Sequence, residues 1–93
     1  MSENTATRTV VVSLPEGLCL RPSYSVAQLA RDFKSRIEIV KDGERAIATD
    51  VLQVISLGSP CGTQLVLEAT GPDAEEALDA LEKLFANDFG FHE

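Results

Sequence analysis

Residues Arg8–Pro22 read RTVVVSLPEGLCLRP, a strand pattern that gives way through a turn to the start of a helix. Val10, Val12 and Leu14 alternate within a β-branched run, which predicts a strand over 8–14 with one apolar face. Pro15, Glu16 and Gly17 supply turn chemistry. Pro22 suits a first helical turn, where its missing N–H has no intrahelical partner to lose. Beyond it, Val26, Leu29, Ala30 and Phe33 fall at i, i+3, i+4 and i+7. That spacing predicts a helix over Arg21–Phe33 with a single apolar stripe.

The rest of the chain repeats this economy. Residues 36–41 form a second strand with Ile37 and Ile39 inward. Asp42-Gly43 is the signature of a tight hairpin, and a short third strand over 44–48 turns Ala46 and Ala48 inward. A short helix is expected over 50–57, capped by Thr49 or Asp50 and stopped by Gly58. Residues 63–69 form a fourth strand with Leu65, Leu67 and Ala69 inward. Asp73 with Glu76 resembles a capping box, opening a last helix over Ala74–Asn87 whose stripe is Ala77, Leu78, Leu81, Leu84 and Phe85. The order is strand, helix, strand, strand, helix, strand, helix. Helices that each bury one stripe need a shared sheet face, so the expected fold is an α+β two-layer open-faced sandwich. Three helices cover one face of a four-stranded antiparallel sheet. One domain is expected over 7–88, between a flexible lead-in (1–6) and a tail (89–93).

Composition excludes several function classes. With 44% hydrophobic and 25% charged residues, the chain is ordinary for a globular domain. No apolar run is long enough to span a bilayer, and the polar start MSENTATRT is not a secretory signal, so no membrane partner is expected. The formal charge of -7 argues against nucleic-acid binding through a basic surface. Residues 1–50 are charge-balanced, and the whole acidic excess falls in residues 51–93. The acids of the last helix are expected on its outer face, serving solubility. Cys19 and Cys61 are too few for a disulfide scaffold and are expected as reduced thiols in a cytoplasm. Both fall in loops near helix ends, which leaves a Cys19–Cys61 bridge open. With His92 they cannot complete a four-ligand zinc site, and no cofactor motif is present.

The chemistry-bearing segment is Gly17-Leu18-Cys19-Leu20-Arg21-Pro22-Ser23. A helix N-terminus presents unpaired N–H groups and partial positive charge, so anions bind there. Arg21 adds a fork of donors suited to phosphate, with Pro22 and Ser23 completing the anion site. A thiol placed in that field is expected to gain thiolate character. The plainer reading makes Cys19 a small, partly buried residue and Arg21 a surface charge.

The chain resembles the HPr family, the histidine-containing phosphocarriers of the bacterial sugar phosphotransferase system. Family members carry Gly-Leu-His-x-Arg-Pro after the first strand, where this chain has Gly17-Leu18-Cys19-Leu20-Arg21-Pro22. Asp42-Gly43, Leu57-Gly58 and Gly71 also match the family's hairpin, the end of its short helix and the approach to its last helix. The resemblance spans residues 7–88. It implies that Cys19 occupies the phosphoacceptor position, with Cys in place of His. It also implies that Asp50 stands where many Gram-positive members carry a regulatory serine. Asp50 then mimics a phosphoserine or serves simply as a helix cap. Val51, Leu52 and Ile55 match an apolar patch that members present to partners.

The implied function is a non-enzymatic regulatory or adaptor module. It would bind enzyme I, sugar-specific components or regulatory proteins as a monomer. The alternative is a phosphocarrier acting through Cys19. His92, the only histidine, is a tail residue, an assistant to Cys19 as a base, or itself a phosphate acceptor.

Overall fold

The computed structural model describes residues 4–90. Its elements follow the expected order: β1 (Thr5–Val11), α1 (Leu20–Ala30), β2 (Arg36–Lys41), β3 (Glu44–Ile47), α2 (Val51–Ser56), β4 (Gln64–Thr70) and α3 (Ala74–Ala86). A 3-10 turn closes the described chain at Asp88–Gly90. The strands lie in the order β1-β4-β2-β3, and every neighbouring pair is antiparallel. Ile37, Ile39, Ala46, Leu65, Leu67 and Ala69 meet Val26, Ala30, Val54, Ala77, Leu78 and Leu81 in one core, which makes the expected open-faced α+β sandwich. Asp42 and Gly43 have φ of 49° and 84°, the two positive values that a type I′ hairpin turn requires.

Several boundaries differ from expectation, each for a non-local reason. β1 begins at Thr5, so residues 5 and 6 of the expected lead-in are strand. Thr5 and Ala6 pair with Thr70 and Ala69, and the Asn4 carbonyl accepts from the Gly71 N–H at 2.8 Å. Arg8 disguises this start, because it lies on the helix-facing side among apolar neighbours. Its guanidinium is held at 2.9 Å by both Glu75 and Asp79 and at 3.7 Å by Glu82. These acids lie one turn apart on α3, so the acidic face ties β1 to α3 as well as facing water. Helix α1 stops at Ala30 rather than Phe33, and its stripe is Val26, Ala27 and Ala30, with Leu29 only half-buried. Helix α3 ends at Ala86.

The expected capping box of α3 does not form. The Asp73 side chain makes no bond to its own helix. It accepts instead from the Lys34 N–H (2.9 Å), the Ser35 N–H (2.8 Å) and the Ser35 hydroxyl (2.5 Å). This pin joins the α1–β2 loop to the β4–α3 loop and ends α1. It holds the Asp73 carboxyl below the usual carboxylate range, with the Ser35 hydroxyl as the largest cause. The tail also begins later than expected. Phe89 is buried and packs edge-on against Phe85, with ring centroids 4.8 Å apart, and the Ser13 hydroxyl donates to Asp88. His92 and Phe91 lie outside the described residues.

The open sheet face carries a charge lattice. Glu38 and Glu68 sit directly opposite each other on β2 and β4, an unfavourable like-charge pair. Arg45 offsets it by reaching both carboxylates at 2.8 Å, and Arg36 approaches Glu38 at 3.2 Å.

Candidate functional site

Helices α1 and α2 pack against each other, and two contacts fix their directions. Arg31 near the end of α1 donates to the Thr49 carbonyl just before α2. Leu18 just before α1 donates to the Ser59 carbonyl just after α2, at 2.8 Å. The helices are therefore antiparallel. Cys19 lies at the end where α2 finishes, and Asp50 lies at the opposite end of α2. Six residues at about 1.5 Å each put roughly 9 Å of helix between those ends.

Cys19 is the N-cap of α1, but only through its backbone. Its carbonyl accepts the Ser23 N–H at 3.0 Å, while its side chain makes no capping bond and the residue is exposed. The loop before it is tightly seated. Gly17 has φ of 78°, and a Cβ there would stand 2.7 Å from the Ser59 carbonyl oxygen and 2.9 Å from the Pro60 Cα. Only glycine meets both demands. Lys41 supports the same corner, its ammonium donating to the Leu57 and Gly58 carbonyls at the end of α2 (2.9 and 2.7 Å). The Leu57 carbonyl is an orphan acceptor of a helix C-terminus, where a cation is favourable, and Gly58 follows it directly.

Arg21 is exposed two residues beyond Cys19. Pro22 and Ser23 correct the anion-site reading. Both are buried, and the Ser23 hydroxyl donates inward to the Leu18 carbonyl at 3.2 Å. They shape the Cys19 loop from beneath, because positions three and four of α1 turn to the core. Asp50 caps α2, accepting from the Gln53 N–H at 3.2 Å. The Gln53 side chain donates back to Asp50 and accepts from the Ile47 N–H, which fixes the β3–α2 corner.

On α2, Val54 is buried and Leu57 nearly so, while Val51 and Ile55 are half-buried and Leu52 is 74% exposed. Leu20 and Tyr24, which carry no motif in the sequence, extend this apolar surface onto α1. They are 63% and 50% exposed and, with Arg21 and Ser25, line a shallow depression. Their i, i+4 spacing off the Val26–Ala30 stripe was the available signal. Among the described residues no group of His, Cys, Asp or Glu could hold a metal ion, and no helix is long and apolar enough to cross a membrane.

An exposed side chain at a helix N-terminus, a nearby arginine and an apolar helix surface form an arrangement that comparison places in a family. Residues 6–87 match the family model described as the PTS HPr component phosphorylation site. The chain belongs to the HPr family. The phosphocarrier protein HPr of Treponema pallidum is 38% identical over 82 residues, covering 88% of this chain and 93% of that one. The phosphocarrier protein NPr of Escherichia coli is 35% identical over 86 residues, covering 91% and 96%. The crystal structure of HPr-C-His from Thermoanaerobacter tengcongensis superposes with a TM-score of 0.89 at 33% identity, covering 95% of this chain and 99% of that one. HPr-family proteins are phosphocarriers of the phosphotransferase system and not enzymes, and this chain has their fold throughout.

Proposed function

We propose that this HPr-family chain is a cytoplasmic adaptor. It engages enzyme I, sugar-specific components or regulatory proteins of a phosphotransferase system without handing on phosphate as histidine members do. The observation that carries this reading is the combination at one corner. The residue at the acceptor position is a thiol, while the surface around it is kept: Arg21 exposed, Leu52 exposed, Val51 and Ile55 half-exposed. Exposed apolar side chains beside an anion-favouring helix start suit a docking surface. The acting unit is one chain, since every one of these residues comes from the same α1–α2 layer. Asp50 serves this reading as a permanent negative cap on α2, at the position of the family's regulatory serine.

A second reading is favoured by one specific feature. The Cys19 side chain is exposed and does no capping, so its sulfur is accessible for covalent chemistry. In this reading Cys19 accepts a phosphoryl group from enzyme I and passes it on.

One experiment separates the two. The chain is incubated with enzyme I and labelled phosphoenolpyruvate, and both label and binding are followed. Binding without label supports the adaptor. Label that disappears in Cys19→Ala supports the carrier. Neither binding nor label refutes both.

A further inference from the structure

Two exposed free thiols, Cys19 and Cys61, lie on the two loops that the fold stitches together at this corner. Leu18, the neighbour of Cys19, donates to the carbonyl of Ser59, two residues before Cys61. The contact between Gly17 and Pro60 is tighter still. The Cβ direction of Gly17 reaches to 2.9 Å from the Pro60 Cα, so the two Cα atoms lie within about 4.4 Å once a C–C bond of about 1.5 Å is added. Cys61 directly follows Pro60. Cys19 follows Gly17 by two residues through a tight turn, in which the Cys19 N–H donates to the Gly17 carbonyl at 3.0 Å.

The loop bearing Cys61 turns sharply at both ends. Gly58 and Gly62 bracket Ser59-Pro60-Cys61, both have positive φ (63° and 93°), and nothing lies within 4 Å of the Cβ position of either. The Thr63 N–H donates to the Pro60 carbonyl at 3.0 Å and the Gly62 N–H to the Val12 carbonyl at 2.7 Å, so Cys61 is held at this corner. A disulfide needs Cα atoms roughly 4.4–6.8 Å apart. The stitched loops supply the approach.

We infer that Cys19 and Cys61 form a reversible intramolecular disulfide, a thiol switch that closes the corner carrying the acceptor position. The oxidant is a low-molecular-weight disulfide of the glutathione class. One protein thiolate attacks oxidised glutathione, forming a mixed disulfide and releasing one glutathione thiolate. The second protein thiolate attacks the protein sulfur of that mixed disulfide and releases the other glutathione. Two protein thiols are oxidised, one glutathione disulfide is reduced, and the two protons end on the two glutathione thiols. In the bridged form the Cys19 sulfur is withdrawn from covalent chemistry and the 17–19 and 59–61 loops are locked together. That the bridge governs partner engagement rests on the adaptor reading, whereas formation of the bridge does not.

The test is titration of the reduced, full-length chain with oxidised glutathione, followed by intact-mass measurement, size-exclusion chromatography and peptide mapping. The expected product is a monomer lighter by two hydrogens, with a peptide linking Cys19 to Cys61 and both thiols lost together. Dithiothreitol restores the starting mass. Cys61→Ser is expected to stop at a stable glutathione adduct on Cys19, and Cys19→Ser at one on Cys61. Stable glutathione adducts on both cysteines of the unaltered chain, or disulfides formed only between chains, overturn the inference. Binding of the reduced and bridged forms to enzyme I is then compared. A bridge that forms while neither form binds leaves the switch standing and removes the adaptor reading instead.

Discussion

Replacing Gly17 with alanine tests the mechanism that seats the Cys19 loop. Two costs act together. The backbone at position 17 has φ of 78°, where an L-residue loses about 1–2 kcal/mol. The new methyl would also meet the Ser59 oxygen at 2.7 Å and the Pro60 Cα at 2.9 Å, both main-chain atoms that cannot swing aside. Forced overpacking of this kind costs about 1–3 kcal/mol. The expected loss is therefore about 2–5 kcal/mol, a large share of the roughly 5–15 kcal/mol that holds a domain together. Gly62→Ala is the control. Its φ of 93° imposes the conformational cost, but nothing lies within 4 Å of its Cβ position, so the loss should stop at about 1–2 kcal/mol. Urea denaturation of both variants gives the difference. Amide exchange adds a local readout: the Leu18 N–H, bonded to Ser59 at 2.8 Å, should lose protection in Gly17→Ala while the core amide of Ile39 keeps it. Equal destabilisation by the two substitutions, with Leu18 protection intact, would refute the close-approach reasoning.

Further outcomes are expected elsewhere. Asp73 titrates below its unfolded value of about 3.9, so its contribution is complete above that pH and is lost as pH falls through the lower folded value. The stability gap between the unaltered chain and Asp73→Asn, followed by denaturation across pH, should hold steady near neutrality and shrink as pH falls below about 4; a gap that does not change with pH contradicts this. Asp50→Ala removes the cap on α2 and should cost about 1 kcal/mol in urea denaturation, whereas Asp50→Asn or Ser should recover most of it. Arg45→Met leaves Glu38 and Glu68 facing each other, so it should destabilise the chain more at low salt than at high salt; a salt-independent effect argues against the charge lattice. Leu52→Ser lies at an exposed position and should change stability by no more than about 0.5 kcal/mol while weakening enzyme I binding measured by calorimetry; unchanged binding removes Leu52 from the docking surface.

The elements were legible because their signals are local. Alternation in 63–69, the Asp42-Gly43 turn and the Asp50 cap each follow from neighbouring residues, and each element exists in the structure. What was not legible depends on partners far along the chain. Arg8 breaks the strand alternation of β1, and only the acids of α3, 67 and 71 residues away in the strongest contacts, explain why it is tolerated there. Asp73 reads as a cap because its local pattern is that of a cap, but the Lys34–Ser35 loop offers three donors from 38 and 39 residues away and wins. The site divides in the same way. Cys19, Arg21 and Leu52 are exposed, while Pro22 and Ser23, read with Arg21 as an anion site, are buried, because sequence does not tell which side of a helix start turns inward.

The division between backbone and side chain at position 19 bears on how freely this residue can vary inside an intact HPr-family fold. Everything that shapes the loop is supplied by other residues. Gly17 fits the gap beneath Ser59 and Pro60, Pro22 and Ser23 pack inward, and Lys41 holds the end of α2 that carries the receiving loop. Position 19 contributes its carbonyl to Ser23, which any residue provides, and its side chain to the surface. A change from imidazole to thiol there breaks no packing and no capping bond, so folding places almost no constraint on it. What folding leaves open at this position, function is free to set. The same reasoning predicts that Cys19→His leaves stability within about 0.5 kcal/mol of the starting chain. Enzyme I and labelled phosphoenolpyruvate then decide whether the retained surface suffices. Transfer restored by that one substitution means the chain kept every other part of a carrier, and transfer that stays absent means the surface itself has diverged.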